Sequence, residues 1–389
     1  MNRNLHVPIL TYAAVLVALG ITRSADAFYV DVSRKTRRSM MTPSTQLHQS
    51  SFNSDPYSAK PVLVVGATGK VGRKVVRTLL DQKLRVRALV RNETKAVELF
   101  AKEMMSSAKA KDDGDSPMLE FVVSDLGKAD RKALETAVQG CQSIISVSGA
   151  MRFSKLTDFL PWRLFQQDTS KWCDDTSHPY YANYRAQKLL IDLAAEYQCR
   201  RFVRLTGLSV GFSPFNLVSM IFSSVLSMTS RHHFALEQYL RNSNVPYVII
   251  RPGGLAEEDR NLSKTNLQVD PSGMLPPPGR VPRSDVAALA ALTVSDPTAL
   301  DPSKSYTLGV RAVGDMKPKP QGSKEEGLPT ALECLQSIKG QEDANDKTVV
   351  AKPHGLAVAL FVYSLAFIGF KLTFAVVGAA LRLFGVSTS

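Results

Sequence analysis

Between residues 61 and 311 the chain alternates short apolar runs with stretches whose apolar residues recur every three to four positions. The runs "PVLVV" (61–65), "RVRALV" (85–90), "LEFVVS" (119–124), "SIISVS" (143–148), "RRFVRLT" (200–206), "YVIIRP" (247–252) and "SYTLGV" (305–310) predict strands. "KVGRKVVRTLLDQ" puts Val71, Val75, Val76, Leu79 and Leu80 on one helical stripe. "TKAVELFAKEMM", "YANYRAQKLLIDLAAEYQ", "HFALEQYLRN" and "SDVAALAALTVSD" predict further helices, the last with Ser284 as its N-cap. Strand and helix taken in turn argue for parallel βαβ units, hence an α/β, doubly wound parallel sheet with helices on both faces. No segment repeats at a fixed period.

The two ends have a different texture. Residues 1–27 open with Arg3, continue with the apolar "PILTYAAVLVALGI" and end in "ADA", the pattern of a cleaved signal peptide. Residues 28–60 follow with Arg, Ser and Thr and few acids, as transit peptides do. A signal cut before Phe28 and followed by such a segment resembles the bipartite leaders of algae with complex plastids, which implies a plastid address; plain secretion is the alternative. Residues 312–352 are polar and broken by Pro and Gly, and read as a disordered linker. Residues 353–389 form a hydrophobic tail in which sixteen uncharged residues precede Lys371 and ten follow it. That length spans a bilayer if Lys371 snorkels, and the stripe of Ser364, Lys371 and Arg382 also suits a helix lying in the interface; a buried helix of a soluble protein is the alternative.

Composition narrows the partners. The 389 residues suit one large globular domain or two small ones, plus tails. The formal charge of +13 has no dense basic run and no interleaved aromatic stripe behind it, so nucleic acid is not an expected partner. The excess suits an anionic cofactor or an anionic lipid surface. Cys141, Cys173, Cys199 and Cys334 show no CxxC or metal-ligand spacing and read as ordinary thiols. Adjacent histidines His232 and His233 diverge on a helix, so no metal site is expected.

The sharpest motif is "GATGKVG", 66–72, between the first strand and the first helix. Gly66 lets the chain turn sharply, Gly69 lets backbone approach a pyrophosphate, and Gly72 lets helix and strand pack closely. Amides at the new helix's N-terminus then face the anion. The context predicts a Rossmann-like dinucleotide site. After the second strand stands Arg91, with no carboxylate before Glu93. A carboxylate there would favour NAD(H); Arg91, helped by Arg87 or Lys95, pairs with a 2′-phosphate and favours NADP(H).

"GATGKVG", the basic residue after strand two, "SDL" at 124–126 and "RPGG" at 251–254 together resemble the atypical short-chain dehydrogenases, in their NAD(P)H-binding, NmrA-like branch. The resemblance covers 61–310. Look-alikes within it include a redox-sensing subunit of the chloroplast import translocon and photosystem II assembly factors. It implies that Gly66, Thr68, Gly69, Lys70, Val71 and Gly72 line the diphosphate, that Asp125 and Leu126 lie near the adenine, and that Ser148 and Gly149 lie near the nicotinamide ribose.

The proton-transfer machinery of that family is a Tyr-x-x-x-Lys pair. "YRAQK", Tyr184 to Lys188, has the spacing but lies one helix too early. On the helix where the pair belongs, its places fall on Thr229 and His233, and the accompanying Ser place falls near Thr206. Thr206 and His233 are therefore the catalytic candidates, both weak. The apolar "SPFNLVSMIFSSVLSM", 213–228, fits either a buried lid over the cleft or a surface for lipid, hydrophobic substrate or partner. The insertion 151–181, with both tryptophans, fits a pocket mouth or a docking face. Two functions remain open: a membrane-tethered, redox-responsive binding or assembly module in a membrane protein complex, and an NADPH-dependent reductase of a quinone, pigment or isoprenoid.

Overall fold

A computed structural model describes residues 60–105, 118–165, 175–257, 265–275, 279–314, 327–341, 343 and 352–383. The signal and transit-like segments, Trp172 and Cys173 lie outside the described residues, apart from Lys60.

The strands are β1 (Val62–Val65), β2 (Val86–Val90), β3 (Leu119–Val123), β4 (Ser143–Ser146), β5 (Arg201–Leu205), β6 (Tyr247–Pro252), β7 (Gly254–Ala256), β8 (Thr265–Asp270), β9 (Arg280–Pro282) and β10 (Tyr306–Gly314). They form one sheet in the order β3-β2-β1-β4-β5-β6-β10-β9-β7, with β8 also on β10. From β3 through β6 to β10 all pairings are parallel, while β8 and β9 run antiparallel to β10. The fold is the α/β, Rossmann-like doubly wound sheet. Between β1 and β4 the winding reverses, and ligands of such sheets bind beyond the carboxyl ends of the strands at that point.

The helices are α1 (Lys70–Asp81), α2 (Glu93–Leu99), α3 (Arg131–Val138), α4 (Pro161–Phe165), α5 (Ala186–Glu196), α6 (Leu217–Val225), α7 (Thr229–Arg241), α8 (Arg283–Ser295), α9 (Gly327–Ile338) and α10 (His354–Leu383). β1 shows how they sandwich the sheet. Val62 and Val64 face one layer with Val71, Val75 and Val76 of α1 and the alanine-rich α8. Leu63 and Val65 face the other with Leu134 of α3, Leu190 of α5 and Leu236 of α7. Alternate residues thus serve opposite faces, and a strand buried on both reads as unbroken apolar sequence.

Two expectations need correction. The strands β7, β8 and β9 and the helix α3 are not among the elements predicted from the sequence; β7 and β9 are three residues each, too short for a periodic signal. The segment 312–352 is not simply a disordered linker. β10 runs on to Gly314, and α9 buries Ala331, Leu335 and Ile338 against the α1–α8 layer. Asp343 then accepts hydrogen bonds from Tyr247 Oη (2.8 Å), Thr307 Oγ1 (2.7 Å) and Arg241 Nε (3.3 Å). The helical spacing of 331, 335 and 338 was present but short, and lay between proline- and glycine-rich flanks.

Candidate functional site

The glycine turn is built as its spacing requires. Gly66 sits at φ +87°, and a Cβ there would lie 2.8 Å from the Ser148 amide nitrogen. A Cβ on Gly72 would lie 2.1 Å from the Gly66 carbonyl oxygen. Only hydrogen fits at either position. Gly69 is different: its φ of −73° is open to any residue, and a Cβ would meet only the Gly66 oxygen at 3.2 Å. It is the exposed N-cap of α1, and no side chain caps the helix from it. The first amides of α1 thus face outward beside a surface with no Cβ. That cradle fits a diphosphate bridge of a nicotinamide dinucleotide, held by the 66–72 backbone.

The other predicted residues sort themselves around this turn. Ser148 packs against Gly66 at the end of β4, and Gly149 is exposed with open space around it. Asp125, just past β3, accepts from the Gly127 amide at 2.9 Å, and Leu126 packs into the α3–α5 layer. Thr68 is half-buried and Val71 is buried in the core under α1. Arg91 follows β2 and is exposed; next to it Asn92 caps α2 by accepting from the Lys95 amide at 2.9 Å. Arg87 is corrected as a helper of Arg91. Its guanidinium lies over the α3 end, donating to the Ala137 and Gln139 carbonyls at 3.1 and 2.6 Å and to Glu120 at 2.5 Å. Lys70 extends from the turn and pairs its ammonium with Glu257, which also takes Arg283 Nη1 at 3.1 Å.

At the opposite end of the crevice the catalytic candidates meet a buried polar network. Thr206, just past β5, donates its hydroxyl to Glu237 Oε1 at 2.8 Å. Glu237, fully buried on α7, also takes Arg251 Nε at 3.1 Å and Arg241 Nη2 at 3.3 Å. Burial alone would raise its carboxyl pKa; Arg251 and Arg241 overcome this and hold it below the usual range. His233 Nδ1 lies 3.4 Å from Nη2 of Arg204 in β5. Burial and that guanidinium push the imidazole down to about 3, so it is neutral at pH 7. Arg204 itself, drawn down to about 9 by burial, donates to Ser146 Oγ and the Ser148 carbonyl, both at 2.8 Å.

Sequence reasoning missed Arg204, Glu237 and the two residues that tie the network to the β4 end. Gln187 donates to Ser148 Oγ (2.9 Å) and accepts from Ser146 Oγ (2.6 Å). Asn183 holds the Ala150 amide and carbonyl at 2.8 and 2.9 Å. Both stand on the continuous helical stretch 181–196 that carries "YRAQK", Tyr184 to Lys188. Those two are a helix flank: Tyr184 packs on the core, and the Lys188 ammonium lies 4.8 Å from the Tyr239 ring centre. The signal available was Arg204, a charge inside an otherwise buried central strand.

The carboxyl-terminal segments close over this end. Lys352 Nζ donates to the carbonyls of Val210, Gly211 and Phe212 at 3.2, 3.1 and 3.1 Å and lies 4.5 Å from the Phe234 ring centre. The 213–228 stretch is not a buried lid: Phe215, Leu217, Val218 and Phe222 are exposed. Elsewhere Cys141 and Cys199 are free, their thiols pushed up to about 12 and about 11 by burial.

Residues 66–297 match the family model described as NAD(P)H-binding. The pea protein TIC 62, chloroplastic (Pisum sativum) is 31% identical over 243 residues, covering 61% of this chain and 40% of that protein. Its counterpart in Arabidopsis thaliana is 30% identical, with 58% of this chain and 32% of that protein covered. The chain thus spans less than half the length of these relatives. Sanguinarine reductase of Eschscholzia californica is 26% identical over 271 residues, 65% of this chain and 90% of that protein. Among solved structures, a short-chain dehydrogenase/reductase of Veillonella parvula in complex with NADP is 16% identical with a TM-score of 0.43, covering 68% of this chain and 97% of that one.

Proposed function

For a chain that belongs to the NAD(P)H-binding, NmrA-like family of atypical short-chain dehydrogenases, we propose the role of a plastid NADP(H)-binding module, tethered to a membrane by α10 and responsive to the redox state of its cofactor. It acts by binding, or by assembling with a membrane protein complex, more than by turnover. The observation that carries this reading is the state of the far end of the crevice. The Thr206 hydroxyl hydrogen is committed to Glu237, and His233 is a neutral imidazole at pH 7 rather than an imidazolium acid. The places of the family's Tyr and Lys are Thr229 and His233.

When bound, the nicotinamide supplies or takes a hydride. The chain's own groups bind and orient: the 66–72 backbone takes the diphosphate, Arg91 takes a 2′-phosphate, and Ser148 and Gly149 receive the ribose at the nicotinamide end. Plastid residence is supported by the chloroplast names of the relatives and by the bipartite leader pattern. The membrane tether is supported by His354–Thr373, which is long and apolar enough, by length and composition, to cross a bilayer.

A second reading, an NADPH-dependent reductase of a hydrophobic substrate, is favoured by the exposed apolar side chains of 215–222 beside the same end. Nicotinamide absorbance, followed with the full chain in detergent and quinone, pigment or isoprenoid acceptors, separates the two. Cofactor binding without oxidation is the expected result, and steady oxidation overturns the binding reading in favour of the reductase.

A further inference from the structure

Two segments beside the nicotinamide end are folded with their polar groups inward and their apolar groups outward. In 151–165, Asp158 is 2% exposed, whereas Phe153, Leu156 and Trp162 are 76%, 88% and 62% exposed. Asp158 is the internal knot of that segment: it accepts from Arg152 Nη2 (3.1 Å), the Lys155 amide (2.9 Å) and Ser227 Oγ (3.0 Å). α6 repeats the inversion. Ser219, Ser223 and Ser224 are buried, and Phe222 is 49% exposed. A helix on the surface of a water-soluble domain has the opposite polarity.

The first turns of α10 are fastened to these same two segments. Gly355 passes so close to Leu164 that a Cβ would lie 1.8 Å from its carbonyl oxygen. Val358 and Ala359 pack with Leu164 and Met228, and Tyr363 Oη donates to the Phe159 carbonyl at 2.5 Å. Small residues on α10, Gly355 against Leu164 and Ala359 in the same cluster, allow a close approach of the kind helices make in membranes, and α10 also contacts α6. Beyond Tyr363 the helix continues for 364–383, about 30 Å at 1.5 Å per residue and about the thickness of a bilayer's hydrocarbon. Phe367, Ile368 and Phe370 in that stretch are exposed.

We propose that the outward face of 151–165 and α6 is seated in the bilayer leaflet into which α10 runs, so that the domain is embedded at the headgroup boundary as well as tethered. The inference rests on the reading of α10 as a membrane tether and adds a second, independent contact. Lipid is the occupant that the observations favour. The face is continuous with a helix of spanning length, its buried carboxylate and serines point away from the contact, and a tryptophan stands where interfacial tryptophans do.

The test uses the full chain with Trp172→Phe, which leaves Trp162 as the single tryptophan. It is incorporated into phosphatidylcholine vesicles with and without nitroxide-labelled acyl chains. The expected result is quenching of Trp162 by the labelled lipid and a drop of about threefold or more in its accessibility to aqueous iodide, as for a side chain at the acyl boundary. Leu156→Trp, on a background with both native tryptophans changed to Phe, repeats the reading from the most exposed position. Phe370→Trp on that background reports the tether separately. Quenching at 370 with Trp162 open to iodide overturns the seat and leaves the tether. Trp162 shielded from iodide yet unquenched by lipid overturns it in favour of a protein, or a second copy, on the face. No quenching at either site overturns seat and tether together. NADPH affinity measured on the same samples tests the cofactor reading apart from both.

Discussion

The two ends of the crevice at the β1–β4 reversal are opposites. At the glycine turn, functional groups are main-chain amides at the start of α1, behind an exposed glycine N-cap and without a side-chain cap hydrogen bond. At the β5 end, functional groups are charged side chains that satisfy one another: Glu237 with Arg251 and Arg241, Arg204 with Ser146 and the Ser148 carbonyl. The first end is made to receive an anion. The second is closed on itself, its charges spent within the fold. The contrast teaches that a main-chain cradle and a buried charge network, though they face one crevice, reside on different elements and depend on different chemistry.

The largest expected effect breaks the closed end. Glu237→Ala leaves Arg251 buried without its carboxylate and Arg241 with Asp343 alone, and loss of one partner of a buried pair costs about 3–5 kcal/mol. Denaturant unfolding should record that loss, and a change within error would show that the network is not what holds α7 to β6. Next comes the open end. Gly72→Ala forces a Cβ into the Gly66 carbonyl, at or above the about 1–3 kcal/mol of ordinary overpacking; an unchanged melting temperature would contradict the close approach. Arg91→Ala sharpens the comparison without touching the fold. It should weaken NADPH by about tenfold or more, in line with a charge-assisted hydrogen bond, and NADH far less. Equal losses would remove Arg91 from cofactor choice.

The smallest effect, per unit of pH, concerns the closed end again. His233 is held at about 3 and His178, whose ring lies edge-on to His232 of α7 with centres 5.4 Å apart, at about 4, each first by burial, against an ordinary value of 6.5. The unfolded chain therefore takes up these protons before the folded one. Stability is intact above about 6.5 and falls as the pH drops towards those values, by up to about 1.4 kcal/mol per pH unit for each histidine. Urea unfolding at pH 7 and pH 5 checks the sign, and equal midpoints would refute it.

The open end was legible in the sequence because its signals are local. Three glycines at fixed spacing between a strand and a helix determine the turn, and each parallel strand announced itself as an apolar run. The closed end was not legible, because Arg204, Glu237, Arg251 and Gln187 come from four separate elements and meet only through the sheet order. Thr206 and His233 stand on the predicted elements, but what they touch depends on those partners. The helix α9 was lost among polar residues, since its fully buried stripe of Ala331, Leu335 and Ile338 is short. The 213–228 stretch was visible as apolar but not as inverted, because burial on one side of a helix is decided by what packs there.

The most direct test of the account is calorimetric titration of NADPH into the full chain in detergent, beside the same chain carrying Gly69→Leu. Position 69 is exposed, and a side chain there would meet only the Gly66 carbonyl oxygen, tightly at 3.2 Å, but would occupy the place of a bound diphosphate. The account predicts saturable binding by the native chain and a loss of about tenfold or more in a variant that still unfolds cooperatively. Absence of binding by the well-folded native chain, or equal affinity in the variant, would contradict it.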